Sequence, residues 1–195
     1  MTPYLTVLVK IPEERHSAIS LIQRDLERID ARHVPSPPFY LHITLKVIGG
    51  LGGSIQESRL PKIIEAIARA ASKHKRFTVD FVGLGIFPDV IYLRIKEGTQ
   101  ELRKIHLSLL DELKGLAARA RFEGPDMIPH VTLIHFATKD IEPLVSYANA
   151  LENVNVPAIE VSEIALVKSH SYRLLEDDET LRGSVLEKVA SFTLH

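Results

Sequence analysis

The sequence predicts one compact α+β domain made of two similar halves, and three observations carry that expectation. Segments of β-branched, strand-like pattern alternate with segments whose apolar residues recur every three or four positions. No low-complexity linker or sharp change of composition divides the 195 residues, so 1–195 reads as a single domain. A tetrapeptide of His, a β-branched residue, Thr and Leu occurs at His42 and again at His130, 88 residues apart and so nearly half a chain.

The elements follow in order. Residues 4–11 (YLTVLVKI) are β-branched and apolar and predict a buried strand closed by Pro12. In 13–29, Ala18, Ile19, Leu21, Ile22, Leu26 and Ile29 recur at helical spacing. Three prolines within 34–38 predict an extended loop, and 39–48 a second strand ending at Gly49-Gly50. The glycine-rich 49–53 reads as a connecting turn, because it lacks the Gly-Lys-Ser/Thr ending of a phosphate-binding loop. A helix is expected over 61–73, with Ile63, Ile64, Ile67, Ala68 and Ala71 on one face, then strands over 77–87 and 90–96 flanking a Pro88-Asp89 hairpin turn. Thr99 is the expected N-cap of a long helix reaching 120, its apolar face made by Leu102, Ile105, Leu109, Leu110, Leu113 and Leu116. After Gly124-Pro125 come a strand over 127–137, a helix over 141–151, a strand over 158–168, a polar loop over 169–180 and a terminal strand over 185–194.

Composition narrows the chemistry. With 24 Lys plus Arg against 25 Asp plus Glu and 45% hydrophobic residues, the chain has the makings of a folded core and not of a disordered polyion. The absence of cysteine rules out disulfides, thiolate metal sites, iron–sulfur clusters and a cysteine nucleophile. Apolar runs fall far short of the roughly 20 residues that span a bilayer, and the first ten residues lack the basic-then-apolar order of a signal peptide, so the expectation is a cytoplasmic protein without a membrane partner. A net charge of −1 argues against coating nucleic acid, which needs a basic excess, and leaves room for one small anionic substrate in a local basic patch. Nine histidines make imidazole the prominent titrating group.

Strand geometry gives the repeat a meaning. Side chains alternate between faces, so His42 and Thr44 share one face while Ile43 and Leu45 share the other; His130 and Thr132 stand likewise opposite Val131 and Leu133. With the apolar pairs toward the core, the two His–Thr pairs face a groove between the halves. One imidazole can take a proton from an attacking oxygen while the other gives one to a leaving oxygen, and each threonine hydroxyl can donate to a phosphoryl oxygen where charge accumulates. A single His-x-Thr in a strand is commonly structural; the paired occurrence favours function. A zinc site is the other use of paired histidines. No carboxylate follows either tetrapeptide at ligand spacing, and His130 and His135, five apart, fall on opposite faces of a regular strand. The expectation is therefore no metal and no cofactor.

These motifs resemble the two-histidine phosphoesterase superfamily, and within it the bacterial and archaeal 2'-5' RNA ligase and cyclic phosphodiesterase group. The resemblance rests on His42-Ile43-Thr44-Leu45, followed by Lys46-Val47-Ile48-Gly49, and on His130-Val131-Thr132-Leu133. It extends to Gly83-Leu84-Gly85-Ile86-Phe87-Pro88 with Tyr92-Leu93-Arg94-Ile95, similar to the family's central hairpin, and to 163–169 with 183–194, similar to its closing strands. Membership implies a bilobed fold with two antiparallel sheets lining a central cleft and helices outside. It also implies metal-independent chemistry on 2',3'-cyclic or 2'-5' phosphodiesters, with His42 and His130 as the acid–base pair and Thr44 and Thr132 on the phosphate. The implied reaction opens the 2',3'-cyclic phosphate of an RNA end or a small cyclic nucleotide to a 2'-phosphate, with a reversible 2'-5' RNA ligase activity beside it, and the implied enzyme is a monomer. Alternatives are a phosphodiesterase for another small substrate, such as ADP-ribose cyclic phosphate or a 2'-5' oligonucleotide, and a non-catalytic binder of RNA ends. The chain departs from the family pattern in three places. Ile134-His135 stands where an arginine often follows the second motif, Thr-Pro-Tyr-Leu-Thr at 2–6 where an arginine is common, and aliphatic Val185-Leu186 where a tyrosine often follows the glycine.

Further candidates follow from position. Lys46 has the strand parity of Thr44 and is the expected cation of the site, and Arg94 in the central hairpin is a second phosphate-binding candidate. Phe39 and Tyr40 precede His42, where one could stack on a base. His16, His33, His74, His106, His170 and His195 stand mostly among polar neighbours and read as surface residues, with His170 near the closing strands; Asp177, Asp178 and Glu179 read as a solvated loop.

Overall fold

Runs of β-branched residues and amphipathic segments build ten strands and four helices in a computed structural model that describes residues 3–117, 124–169 and 186–195. In chain order these are β1 (Tyr4–Lys10), α1 (His16–Ile29), β2 (Val34–Pro35), β3 (His42–Gly50), α2 (Leu60–Ala71), β4 (Phe77–Val79), β5 (Phe81–Phe87), β6 (Val90–Ile95), α3 (Thr99–Glu112), β7 (His130–His135), α4 (Glu142–Ala150), β8 (Ile159–Val161), β9 (Glu163–Ser169) and β10 (Leu186–Thr193). The expectations on His170, on Asp177, Asp178 and Glu179 and on Val185 lie outside the described residues, whereas the long helix expected to reach 120 ends at Glu112, with Leu113 as its C-cap.

Strands β10-β9-β1-β3 form one end of an antiparallel ladder and β7-β6-β5 the other, with β2 against β7; β4 and β8 pair separately. The two expected sheets are thus ends of a single ladder, joined where β3 and β7 meet at one antiparallel pair, Ile43 with Val131. That pair and the β4–β8 pair are the contacts between equivalent elements of a duplicated β-α-β-α-β-β order, β1 to β5 in the first half and β6 to β9 in the second, with β2 and β10 outside it. Each end of the ladder draws on both halves. The first end takes β9 from the second half, and α3 packs against β3; the second end takes β5 from the first half, and α1 packs against β7.

Turn chemistry explains where the elements depart from the sequence expectation. Pro37 and Pro38 fix their backbone angles and set a helical turn over Pro38–Tyr40, so the strand starts at His42 and not at 39. The expected strand over 77–87 breaks at Asp80, whose carboxylate accepts from the Phe81 amide, and that over 158–168 breaks at Ser162. The N-cap of α3 is Gly98 and not Thr99, whose hydroxyl instead donates back to the Ile95 carbonyl. In α1 the buried stripe is Ile19, Ile22, Gln23 and Leu26, whereas Leu21 is 59% exposed. Two histidines read as surface residues are buried: His33, which accepts from the Ala137 amide, and His106 in the buried stripe of α3. The apolar residues of both ladder ends and of the helices behind them form one main core, worth roughly 25 cal/mol per Å² of apolar surface removed from water. No helix among the described residues is long and apolar enough to cross a membrane.

Candidate active site

Register places the two motifs together. Ile43 and Val131 lie opposite each other in antiparallel strands, so His42 stands beside Thr132 and Thr44 beside His130 across the junction. All four side chains are half-buried, while Ile43, Leu45, Val131 and Leu133 are in the core, as alternation requires.

Both strands then break step at the same place. On β3, Leu8 of β1 pairs with Thr44 and Val7 with Lys46, leaving Leu45 as an extra residue. On β7, Tyr92 of β6 pairs with Thr132 and Ile91 with Ile134, leaving Leu133 extra. These are β-bulges, which turn the residues beyond them onto the other face. Two expectations change as a result. Lys46 lies opposite core-facing Val7, is 2% exposed, and its ammonium donates to the Val47 carbonyl, so it does not share Thr44's face. His135 lies opposite Val90, on the face of Tyr92 and Thr132, so His130 and His135 share a face where a regular strand would separate them. Among the described residues no three His, Asp or Glu side chains gather as metal ligands.

The imidazoles are oriented alike. His42 Nδ1 donates to the Tyr40 carbonyl at 2.5 Å, and His130 Nδ1 donates to the Ile128 carbonyl at 2.8 Å. A proton fixed on Nδ1 leaves Nε2 of each ring as the reactive nitrogen. His42 Nε2 lies 3.1 Å from the Thr44 hydroxyl, which donates to it when the ring is neutral. Burial pulls His42 down to about 4, opposed by the Tyr40 carbonyl and reinforced by nearby His130. Burial also lowers His130, opposed by the Ile128 carbonyl and by the Asp89 carboxylate. The two rings thus sit in unequal fields, His42 held neutral and His130 helped to keep a proton.

Aromatic rings wall the site. Tyr40 meets His42 edge-on at 5.0 Å; Phe87 and Tyr92 each lie 5.1 Å from His130 and stack on one another at 4.3 Å. Tyr92 lies across Gly85 of the neighbouring strand, where any Cβ would meet the ring at 2.2 Å. This aromatic wall was missed in the sequence, though Gly-x-Gly opposite an aromatic in a hairpin is its signal.

Two cations stand in matched positions. Arg94 pairs with His130 across β6 and β7, with its guanidinium against Gly83. Lys10 pairs with His42 across β1 and β3 and is exposed. Lys10, and not Lys46, is the lysine beside the first motif histidine, and aligning the strand before each motif strand would have found it. Phe39 is 40% exposed and lines, with Lys10 and Leu41, a cavity of about 470 Å³ beside the His42 end that reaches Lys188.

Paired antiparallel His-x-Thr strands, with Nδ1 of each ring tied to a carbonyl and Nε2 turned away from it, are the arrangement of a two-histidine phosphoesterase. Residues 23–173 match the 2'-5' RNA ligase superfamily, and the chain belongs to that family as an enzyme of this type. It is 27% identical over 166 residues to an RNA 2',3'-cyclic phosphodiesterase of Methanothermobacter thermautotrophicus, covering 83% of this chain and 86% of the relative. A protein of the same description from Aquifex aeolicus is 26% identical over 139 residues, 68% of this chain and 70% of that one. The fold is similar to the crystal structure of E. coli LigT complexed with 3'-AMP, with a TM-score of 0.72, 15% identity and 99% and 98% of the two chains covered.

Proposed function

We propose that the protein hydrolyses the 2',3'-cyclic phosphate of RNA ends or small nucleotides to a 2'-phosphate by acid–base catalysis between His42 and His130. The observation that carries this reading is the antiparallel meeting of the two motifs at Ile43–Val131, with each Nδ1 tied to a carbonyl. Neutral His42 takes the proton of a water that attacks phosphorus, and protonated His130 gives its proton to the departing 3' oxygen as the P–O3' bond breaks. Thr44 and Thr132 donate to the non-bridging oxygens, where charge builds up in the transition state. Lys10 and Arg94, the cross-strand neighbours of the two histidines, supply the positive field; Lys46 is assigned no phosphate contact. Phe39, at the mouth of the cavity beside Lys10, offers a surface for a base. Ligation puts a 5' hydroxyl in place of the water: His42 takes its proton, its oxygen attacks phosphorus, and the P–O3' bond breaks with the proton of His130 to leave a 2'-5' phosphodiester.

The relatives' described activity and the separated fields of the two rings support the reading. The test is turnover of a 2',3'-cyclic mononucleotide and of a short RNA with a cyclic-phosphate end, followed by 31P NMR. His42→Ala and His130→Ala should each lower the rate by about 100-fold or more. Unchanged turnover in both variants would sink the assignment, as would tight binding of the RNA end with no hydrolysis over hours by the parent.

A further inference from the structure

The bulges that follow Thr44 and Thr132 are held by matched donors. The buried stripe of α1 is Ile19, Ile22, Gln23 and Leu26, and that of α3 is Leu102, Ile105, His106 and Leu109, each member 83 residues after its counterpart. Within these apolar stripes Gln23 is 4% exposed and His106 is 1% exposed. A polar group so buried is costly unless it is hydrogen-bonded, and both side chains turn to the bulges. His106 Nδ1 donates to the Leu45 carbonyl at 2.6 Å, and Gln23 Nε2 donates to the Leu133 carbonyl at 2.8 Å and to the Ser36 carbonyl at 2.7 Å. Leu45 and Leu133 are the extra residues of the two bulges that follow the motif threonines. The other ring nitrogen of His106 is buried without a hydrogen-bond partner among the described residues, so the bulge carbonyl is the ring's one hydrogen bond.

We propose that Gln23 and His106 are positioning residues, each fixing the bulge of one motif strand and so the relative setting of its histidine and threonine. The pinning is crossed: α1, which precedes the first motif, holds the second, and α3, which precedes the second, holds the first. Without His106 the Leu45 carbonyl loses its side-chain donor, and without Gln23 the Leu133 carbonyl keeps the Ser36 amide and loses the donor from α1, so each bulge is held less firmly and the strand gains by relaxing toward regular alternation. That motion carries Thr44 or Thr132 away from the phosphate. The consequence for rate rests on the acid–base reading of His42 and His130; the pinning itself does not.

The experiment compares the full chain with Gln23→Met, His106→Leu and His106→Asn by amide 1H–15N spectra and by kinetics on a 2',3'-cyclic mononucleotide. Gln23→Met should move the amides of 132–135 and spare those of 44–47, and His106→Leu should do the opposite. Each should lower kcat about 10- to 100-fold with KM changed less than about threefold, the signature of small misplacement. His106→Asn, whose amide nitrogen takes the place of Nδ1, should retain the parent spectrum and kcat. The proposal is overturned if kcat stays within about threefold of the parent after both donor deletions, if either deletion moves both motifs equally, or if His106→Asn fares no better than His106→Leu. Should His106→Leu not fold, the Gln23→Met and His106→Asn arms decide. Should His42→Ala and His130→Ala retain turnover, the acid–base reading falls while the amide shifts still decide the pinning.

Discussion

At the scale of the residue, the site places two identical side chains in different fields, and the proposed acid–base division between them rests on that difference. Desolvation pulls His42 down to about 4, whereas Asp89 works against the desolvation of His130. Both pKa values nevertheless lie below the 6.5 of a free imidazole, and this fixes the shape of the pH profile. As pH rises through 4, His42 loses its proton and kcat/KM climbs. As pH rises further, His130 loses the proton it must donate and kcat/KM falls. The optimum should lie between about 4 and 6.5, and the value at pH 8 should be at least about tenfold lower, read from initial rates across buffers of constant ionic strength. A flat profile from pH 6 to 8 would contradict the assigned roles. That His42 shares a face with Thr44 and His130 with Thr132 was legible in the sequence because two-residue spacing in a strand is set by covalent geometry. Lys46 was misread because its face depends on pairing with β1, a strand more than thirty residues earlier, and that register leaves no mark in its own segment.

At the scale of the element, the hairpin of β5 and β6 is the wall that holds His130. Gly85 exists so that Tyr92 can lie flat across it, and Phe87 and His130 pack on that ring in turn. Gly85→Ala should therefore expel the ring, costing about 1–3 kcal/mol of stability in urea denaturation and lowering turnover by about tenfold. Loss of stability with full activity would show that the ring is only packing. The strands and helices themselves were largely legible, since their periodicity is local. Their ends were not: Pro37-Pro38 converted the expected start of β3 into a turn, and Asp80 and Ser162 cut two expected strands. The hydrophobic stripes of α1 and α3 were readable except at Gln23 and His106, which a pattern search discards as polar interruptions although each has its partner on a distant strand.

At the scale of the whole molecule, a net charge of −1 with Lys10 and Arg94 as the cross-strand neighbours of the two histidines supports the proposal of one bound phosphodiester and not a long polyanion. Neutralising one or two phosphates gives a shallow salt dependence, so KM for a cyclic-phosphate RNA end should rise less than about tenfold between 50 and 200 mM salt. A rise of about 1,000-fold would mean that many phosphates are bound along an extended track. The duplication was visible in the repeat, but the exchange of elements between halves was not, because nothing in a tetrapeptide says which sheet its neighbours will join.

That exchange has a consequence for inheritance of change. The two copies of the repeat are clasped, each lending a strand and a helix to the other's end of the ladder. Neither copy closes a core alone, and the surroundings of each imidazole are written in both halves of the sequence. The copies are therefore not free to drift apart as independent modules: an alteration in one must be answered in the other for either histidine to keep its place.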